Sequence, residues 1–449
     1  MKNISAPKGT HDLIKDEARG FEHIIGIARL VSSLYGFDPL ETPLFENATL
    51  FERSVGDATD IVQKEMYVFK DKGKRTLALR PEGTASIARS VITNKLYATN
   101  DLPLRFYYDG TMYRYERPQL GRYREFRQFG IESIGLTSIF HDLEVMLLAI
   151  HILQALGFEG INTKINSLGD SSARERYKTA LKAYYEPHLP TMCADCQMRY
   201  EKNPLRMLDC KVPHDASLAL KAPHISEHLS KEDKDDLNFI FDALNGFGIN
   251  TTIDTTLVRG LDYYSGIIFE FSYIPASGKD YGAIGGGGRY DKLVSELGGP
   301  DLVGAGFAFG IERLYHILNE EKKLESAVFP DDVYIITKGD EARNDGFSLL
   351  TSLRTHEVRG VMAFEDKSFK SLFKIAESRG AKYAIIIGQE EVDGEFVTFR
   401  DLSARTQEKV EYGKILPHVL KLVHGEHHHH HDDDECCCGN CNDEEKEEK

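Results

Sequence analysis

The sequence predicts an α+β protein, in which an antiparallel sheet flanked by helices is followed by a small α/β domain. Over residues 1–325, apolar and polar residues alternate in short runs that are paired across turn residues, which favours hairpins in an antiparallel sheet. A Glu- and Lys-rich segment at 319–330 marks a linker, and beyond it short apolar strands alternate with helices. We therefore expect a large domain over 1–325, a small domain over 330–424 and a disordered His-, Cys- and acid-rich tail over 425–449.

The body of the chain is less acidic than the total charge suggests. The 449 residues carry a formal net charge of −16, but the ten acidic residues and two lysines of 426–449 account for half of it. A nucleic-acid partner is not excluded, because a mildly acidic body leaves room for basic patches. Few cysteines precede the tail, and the sequence shows neither a secretory signal nor an apolar run that could span a bilayer, so we expect a cytoplasmic protein with no membrane partner.

The first elements alternate between helix and strand. Gly36 ends a run of apolar residues at helical spacing, and Pro43, which cannot donate a ladder hydrogen bond, suggests a sheet edge or an interface. Thr84 is predicted to cap the helix that follows it. The predicted elements of this region are a helix over Phe21–Tyr35, a strand over Asp38–Pro43, a hairpin of Tyr67–Phe69 with Thr76–Leu79, and a helix over Ala85–Val91.

The stretch Arg105–Glu132 is the most informative part of the chain. It contains six arginines and eight aromatic residues, and both of its ends alternate between two faces as strands do. Pro118–Gly121 supplies turn chemistry, so we predict an antiparallel hairpin with a basic loop over Arg117–Arg124. Guanidinium groups match phosphates and aromatic rings stack on bases, which suits a nucleotide. An amphipathic hairpin with a solvated basic face is the alternative.

A helical module, further strands and the small domain follow this hairpin. Residues 170–245 are highly charged and mostly helical in pattern, which predicts a helical insertion in the large domain. The other predicted elements of the large domain are a helix over His141–Leu156 and strands over Thr251–Leu257, Ile267–Tyr273 and Gly304–Phe309. Those of the small domain are strands over 333–336, 361–363, 383–387 and 396–399 and helices over 342–355, 368–379 and 413–423.

Three further motifs carry residues suited to a polar ligand. Leu257–Tyr264 places an arginine and two tyrosines directly after a strand, and Gly304–Leu314 is a glycine-flanked strand leading into a helix with an early arginine. In Gly285–Asp291, four glycines in a strand context would let backbone approach a ligand closely, and a plain loop is an equal alternative. The sequence contains neither a P-loop nor a dinucleotide fingerprint.

Together these motifs resemble the histidyl-tRNA synthetase family of class II aminoacyl-tRNA synthetases. Arg105–Glu132 is similar to the second motif of the class and Gly304–Leu314 to the third. Leu257–Tyr264 and Gly285–Asp291 are similar to the two signatures peculiar to the histidine enzymes, and these are the specific ones. The resemblance covers nearly all of the chain before the tail.

The resemblance implies both an architecture and an activity. Residues 1–325 would form the class II catalytic domain, with the insertion at about 170–245, and residues 330–424 an anticodon-binding domain. A homodimer would be built partly on Tyr35–Pro43. The activity would be that of a histidine–tRNA ligase, which converts histidine and ATP to histidyl-adenylate and then transfers histidine to the 3′ end of tRNA(His).

The resemblance also implies which side chains bind ATP. Attack of a carboxylate on the α-phosphate brings two anions together, so fixed cations must offset charge in the transition state. Arg114 and Arg259 match the family's catalytic positions at the α-phosphate. Glu116 would accept a hydrogen bond from the adenine amino group while Phe126 stacks on the ring, and Mg²⁺ would bridge the phosphates. The matching ATP-binding positions are Arg114, Glu116, Arg122, Phe126 and Arg313.

Histidine would be recognised through both nitrogen atoms of its ring. Neutral imidazole has one donor and one acceptor nitrogen, and Glu132 and Tyr264 match the family positions that read them. Glu82, Thr84 and Gln128 match those that bind the α-ammonium group. The implied histidine-binding residues are Glu82, Thr84, Gln128, Glu132, Tyr263 and Tyr264.

The basic loop would serve tRNA. By resemblance, Gln119 and Arg124 contact the acceptor end, and the alternative is a solvated loop in a tRNA-independent protein. The rival function is that of a non-catalytic paralogue, such as the regulatory subunit of ATP phosphoribosyltransferase. Those paralogues lack the anticodon-binding domain and often lose catalytic arginines, whereas this chain keeps Arg114, Arg259 and Arg313.

Two cysteine-rich segments leave the question of metal open. Cys193, Cys196 and Cys210 resemble a zinc site short of one ligand, which His188 or His214 could supply, but three reduced thiols are the favoured interpretation and no metal site is predicted in the body. The tail carries five consecutive histidines and four cysteines, which invite metal binding by composition, and it lies outside the family pattern.

Overall fold

The computed structural model describes residues 4–56, 59–117, 121–324, 331–365 and 367–425. The chain divides into two units, residues 1–328 and 329–449, and each contains hydrophobic clusters of its own. Three loop residues (118–120) and the predicted tail beyond Gly425 lie outside the described residues. None of the described helices combines the length and the apolar character that a bilayer span requires.

The first unit contains a large sheet, a small sheet and the helices that cover them. Its strands are β1 (Asp38–Pro39), β2 (Phe45–Asn47), β3 (Val68–Lys70), β4 (Thr76–Leu79), β5 (Leu104–Tyr113), β6 (Glu125–Ile134), β7 (Asn162–Ser167), β8 (Thr251–Ile253), β9 (Ser265–Ser272), β10 (Ala283–Tyr290) and β11 (Gly304–Gly310). Its helices are α1 (Lys15–Leu34), α2 (Ala48–Ser54), α3 (Thr84–Thr93), α4 (Ile139–Ala155), α5 (Ser171–Tyr185), α6 (Ala194–Lys202), α7 (Pro213–Ala219), α8 (Lys231–Gly246), α9 (Leu293–Glu296) and α10 (Ile311–Glu320).

The large sheet has the strand order β1-β5-β6-β11-β10-β9-β7-β8. The six strands from β5 to β7 pair antiparallel throughout, which confirms the predicted antiparallel sheet. Only the strands at its two edges, β1 and β8, pair parallel to their neighbours. The small sheet has the order β2-β4-β3 and pairs antiparallel.

Strand β6 divides its side chains between the two faces of the large sheet, because successive residues of a strand point to opposite sides. Phe129 and Ile131 are fully buried in a cluster with α1, α4 and α10. The alternate residues Gln128 and Glu132 therefore lie on the other face, where Ile134 joins a cluster with β9, β10 and the insertion helices. On this face Glu132 is buried and Gln128 is partly buried.

Several predicted elements differ from those observed. The strand predicted over Thr251–Leu257 stops at Ile253, because the Asp254 side chain accepts hydrogen bonds from the backbone and hydroxyl of Thr256 and turns the chain. The glycine run, left open between strand and loop, is the central strand β10. Strand β7 was not predicted at all, whereas the predicted helical insertion is observed as α5 to α8 with intervening 3₁₀ turns.

The second unit is a five-stranded mixed sheet with helices. Its strand order is β13-β12-β14-β15-β16, in which the first three strands are parallel and the last two antiparallel. The strands are β12 (Val333–Thr337), β13 (Gly360–Met362), β14 (Tyr383–Ile387), β15 (Phe396–Asp401) and β16 (Thr406–Glu411), and the helices are α11 (Asp340–Thr355), α12 (Phe369–Ser378), α13 (Gln389–Asp393) and α14 (Tyr412–His424). The small α/β domain is confirmed, with β16 as an unpredicted edge strand.

Candidate active site

A group of buried polar side chains lies where the hairpin β5–β6 meets β10 and the start of α3. Its centre is Glu132 on β6, whose side chain is almost wholly buried. One carboxylate oxygen accepts a hydrogen bond from the Thr84 hydroxyl at 2.6 Å, and the other accepts one from the Tyr290 hydroxyl at 2.6 Å. Burial nevertheless raises the pKa of Glu132 to about 8, because loss of hydration outweighs the two hydrogen bonds.

Glu82 is a second buried carboxylate and holds the start of α3. Its two oxygen atoms accept hydrogen bonds from the backbone N–H groups of Thr84 at 2.7 Å and Ala85 at 3.0 Å, and one of them also accepts from the Tyr263 hydroxyl at 3.4 Å. Burial raises the pKa of Glu82, and the backbone donors oppose that shift. The prediction that Thr84 caps this helix is wrong, because Glu82 takes the free N–H groups and leaves the Thr84 hydroxyl to Glu132.

Two further predicted histidine-binding residues line the same pocket. The side-chain oxygen of Gln128 is buried and has no hydrogen-bond partner, although a buried amide oxygen is normally paired. Tyr264 is buried beside Tyr263, with their ring centroids 4.7 Å apart, and burial raises the pKa of its hydroxyl. Among the described residues, the Gln128 side-chain oxygen is therefore a buried acceptor without a partner, on the same face of β6 as Glu132.

Arg259 lies beside the glycine strand. Its guanidinium donates a hydrogen bond to Glu270 of β9 at 3.0 Å, and its Nε atom is buried without a hydrogen-bond partner. A Cβ atom at Gly286 would lie 2.8 Å from the nearest guanidinium nitrogen, so only glycine leaves room for this side chain. Gly286 of β10 thus makes room for the guanidinium of Arg259. The sequence had suggested instead that these glycines let a ligand approach the backbone.

The arginines predicted to bind ATP form a second group around the hairpin tip. Arg114 donates from Nε to the Pro81 carbonyl at 2.9 Å, and its guanidinium carbon lies 5.3 Å from the ring centroid of Phe126. Arg122 pairs with Glu116 at 3.5 Å. Arg313 donates to the Ala283 carbonyl, and its pKa is lowered first by burial and then by repulsion from Arg122. All five predicted ATP-binding residues are therefore neighbours.

The structure gives less information about the two residues predicted to contact tRNA than about those predicted to bind histidine and ATP. Gln119 lies outside the described residues. Arg124 donates hydrogen bonds to the carbonyls of Glu116 at 3.3 Å and Lys8 at 3.4 Å, and its guanidinium carbon lies 3.7 Å from the centroid of the Tyr115 ring. In this arrangement Arg124 fixes the base of the loop.

Tyr290 belongs to this polar group, although sequence reasoning did not assign it to the site. It ends the Gly285–Asp291 signature, and its hydroxyl is one of two donors to Glu132. The signature contained it, but the glycine run hid the strand alternation that would have shown which way Tyr290 points. A Cβ atom at Gly304, its partner on β11, would lie 2.1 Å from the tyrosine ring, so small residues on both strands make space for it.

Two family models match most of the chain. The family model described as histidyl-tRNA synthetase matches residues 9–314, and the one described as anticodon binding domain matches residues 332–422. The chain is 41% identical over 426 residues to histidine–tRNA ligase 1 of Shouchella clausii, covering 94% of this chain and 99% of that protein. It is 41% identical over 418 residues to the histidine–tRNA ligase of Bacillus subtilis, covering 92% and 98%.

Solved structures agree with the sequence relatives. The apo histidyl-tRNA synthetase of S. aureus superposes with a TM-score of 0.79 at 33% identity, covering 93% of this chain and all of that one. A chain named ATP phosphoribosyltransferase regulatory subunit/histidyl-tRNA synthetase, from Bacillus halodurans, superposes with a TM-score of 0.61 at 21% identity and covers 86% of this chain, which shows a shared fold alone.

Proposed function

The chain belongs to the histidyl-tRNA synthetase family, and we propose that its two buried carboxylates read histidine while its arginines hold ATP. Its activity is that of a histidine–tRNA ligase, which charges tRNA with histidine. The observation that carries the site proposal is the Glu132 carboxyl group, buried between two hydroxyl donors next to a pocket with an unpaired amide oxygen.

Recognition of the imidazole ring follows from Glu132 and Tyr264. The donor nitrogen of neutral imidazole would donate to the Glu132 carboxylate, and the Tyr264 hydroxyl would donate to the acceptor nitrogen. Burial raises the pKa of Glu132 to about 8, and the incoming N–H group would supply a third donor that favours the ionised carboxylate. A side chain without matching nitrogens would form neither hydrogen bond, which strongly disfavours apolar amino acids.

The α-ammonium group of histidine would bind at the start of α3. The Gln128 side-chain oxygen is buried and lacks a partner, so it is a ready acceptor for an ammonium hydrogen. Glu82 supplies negative charge, and Thr84 supplies a hydroxyl oxygen between the two carboxylates. Tyr263, which donates to Glu82, would keep that carboxylate in place.

Activation of histidine would rely on Arg114 and Arg259. An oxygen atom of the histidine carboxylate attacks the α-phosphorus of ATP, a new P–O bond forms, and the bond to the β-phosphate breaks so that pyrophosphate leaves. Two fixed guanidinium groups at the α-phosphate would offset the charge that develops there. In the second step a hydroxyl at the 3′ end of tRNA(His) attacks the carbonyl carbon of histidyl-adenylate, and AMP leaves.

The remainder of the nucleotide would lie along the hairpin. Phe126 would stack on adenine and Glu116 would accept from its amino group, while Arg122 and Arg313 would contact the far phosphates. Mg²⁺, when bound, would neutralise phosphate charge. Glu270 beside Arg259 is a partly buried carboxylate that, together with phosphate oxygens, fits the oxygen ligands that Mg²⁺ prefers.

We also propose a homodimer, a cytoplasmic location and tRNA contacts by Gln119 and Arg124. The first unit leaves large apolar side chains exposed on α1 and on the small sheet, where an unpartnered surface would be costly. These include Leu30, Leu34, Phe45, Val68 and Phe69. Three free thiols in the body are consistent with a reducing compartment.

Histidine-dependent exchange of pyrophosphate into ATP tests the site assignment. The full-length protein should catalyse exchange with histidine and not with other amino acids, and Arg259→His should abolish most of it while histidine binding stays measurable. Arg176→His, on the exposed face of α5, is the matched control and should exchange normally. The rival assignment as a regulatory paralogue requires that the folded, full-length protein shows no exchange at all.

A further inference from the structure

Four side chains in the helical insertion converge at one point. The ligand atoms of Cys193, Cys196, Cys210 and Asp215 all lie within 4.8 Å of one another. The sulfur atoms of Cys193 and Cys210 are 3.9 Å apart, and the Cys210 sulfur is 3.6 Å from a carboxylate oxygen of Asp215. Tetrahedral Zn²⁺ with Zn–S bonds of about 2.3 Å and Zn–O bonds of about 2.0 Å would separate sulfur atoms by about 3.8 Å and sulfur from oxygen by about 3.5 Å.

The backbone holds these groups as a metal site would require. Cys193 is the residue before α6, and its sulfur accepts a hydrogen bond from the backbone N–H of Cys196 at 3.4 Å, which orients the sulfur at the start of that helix. The backbone N–H of Cys193 in turn donates to Asp215 at 3.0 Å and fixes the orientation of that carboxylate.

Asp215 provides the independent sign that a cation belongs here. Its side chain is 1% exposed, yet its second carboxylate oxygen is buried without a hydrogen-bond partner. A buried carboxylate is costly unless it is paired or coordinates a metal. The histidines considered from sequence point elsewhere, because the ring of His214 lies 3.3 Å from the Thr191 hydroxyl and that of His188 packs against Tyr184.

We propose that Cys193, Cys196, Cys210 and Asp215 bind one Zn²⁺ ion in a closed, tetrahedral structural site. Three thiolates and one carboxylate fill all four positions of the ion, so the site has no open position for substrate and serves structure rather than hydrolysis. The three thiol protons leave as the metal binds. This proposal departs from the favoured sequence interpretation, which was three reduced thiols without a metal.

The site would also support the segment 259–262, and this step depends on the proposed role of Arg259. The chain between the second and third cysteine carries Asn203 and Arg206. Arg206 donates to the Arg259 carbonyl at 3.0 Å and to the Gly260 carbonyl, and Asn203 donates to Asp262 at 3.0 Å. Both ends of this supporting segment would be fixed by the same ion, so Zn²⁺ would position Arg259 from a distance.

Metal analysis of the full-length protein tests the site directly. All variants carry serine in place of the nine histidines and cysteines of the tail, at His427–His431, Cys436–Cys438 and Cys441, so that only the insertion can bind Zn²⁺. The purified protein should hold one zinc per chain and, after replacement by Co²⁺, show the absorption of a tetrahedral cobalt thiolate. Cys210→Ser and Asp215→Ala should lose the metal, and His214→Ala, the control, should keep it.

These measurements test the zinc site independently of the proposed ligase activity. Metal content is measured without activity, so a zinc-containing protein that fails to activate histidine would contradict only the proposed function. A zinc-free parent protein, zinc retained by Cys210→Ser, or thiol titration showing that Cys193 and Cys210 are joined in a disulfide would overturn the site. If Cys210→Ser does not fold, chelation of the parent protein supplies the same comparison.

Kinetics of the metal-free protein test whether the zinc site positions Arg259. Removal of the metal should lower kcat of the exchange reaction by about tenfold, as loss of supporting contacts commonly does, with a smaller change in KM for histidine. Unchanged kcat in zinc-free protein would refute the positioning role.

Discussion

Glu132 gains its unusual chemistry from the residues that cover it. Its carboxyl group lies on the inner face of β6, where two hydroxyl groups donate to it and water does not reach it. The pKa rises from 4.5 to about 8 because two neutral donors replace only part of the lost hydration. Burial therefore favours the protonated form of Glu132, and a ligand that donates a hydrogen bond to it would favour the ionised form.

This proton couples folding to pH. The folded-state pKa of Glu132 lies above the unfolded one, so the folded chain binds the extra proton and the stabilisation is lost as pH rises towards and through 8. Between pH 5.5 and pH 9 the wild type should lose roughly 3 kcal/mol that Glu132→Gln does not lose. Calorimetry across this pH range should show that the Tm of the first unit falls more steeply with rising pH in the wild type than in Glu132→Gln.

A second carboxylate provides the control for this comparison. Glu159 lies exposed beyond α4, and Glu159→Gln should follow the pH profile of the wild type. Parallel profiles for the wild type and Glu132→Gln would show that Glu132 does not carry the extra proton.

At the scale of elements, β11 approaches the pocket only because it lacks side chains there. Gly306 pairs with Glu132 in the sheet, and a Cβ atom at that position would lie 2.2 Å from a carboxylate oxygen and 2.4 Å from the Ile131 carbonyl. The backbone of β6 is packed within the sheet and cannot move easily. The Glu132 side chain or β11 must therefore move to relieve the clash.

Gly306→Ala should therefore damage histidine binding more than ATP binding. Displacement of Glu132 by a fraction of an ångström to an ångström should raise KM for histidine by about tenfold or more, measured in the exchange reaction. Gly246→Ala, in open space at the end of α8, is the matched control and should change KM less than twofold. Equal KM values for the two variants would mean that β11 does not set the position of Glu132.

Local pattern predicted the elements whose signal lies within their own sequence. Alternation in Arg105–Glu132 predicted the hairpin, but it did not show that Glu132 would be buried on one of its faces. The strand β10 was left open because glycine carries no hydropathy signal, and its conformation depends on contact with β9 and β11. The cap of α3 was misassigned because the competition between Glu82 and Thr84 is decided by Glu132, 48 residues away.

The same limit applies to the site residues. Family resemblance suggested Arg259 and Tyr264, but not the Tyr290 hydroxyl that completes the surroundings of Glu132. The fourth ligand of the cysteine cluster could not be chosen from sequence either, because His188, His214 and Asp215 all lie within five residues of a cysteine. Only the packing of the insertion brings Asp215, and not His214, to the thiols.

At the scale of the whole molecule, the residues proposed for chemistry and the anticodon-binding match belong to different units. All described residues proposed to bind histidine and ATP lie in the first unit, which has its own hydrophobic clusters, and the anticodon-binding match lies in the second. A tRNA that contacts both units gains affinity from the second contact through effective concentration. If the proposed site residues are correct, adenylate formation should need only the first unit.

A chain that ends at Val328 should therefore activate histidine but charge tRNA poorly. Exchange should stay within about threefold of the full-length rate, whereas kcat/KM for aminoacylation should fall by about a hundredfold, mainly through KM for tRNA. Deletion of residues 426–449 alone is the control and should leave charging intact while reducing zinc or nickel binding. Loss of exchange from a truncated chain with native circular dichroism, or normal charging by it, would contradict this division of labour.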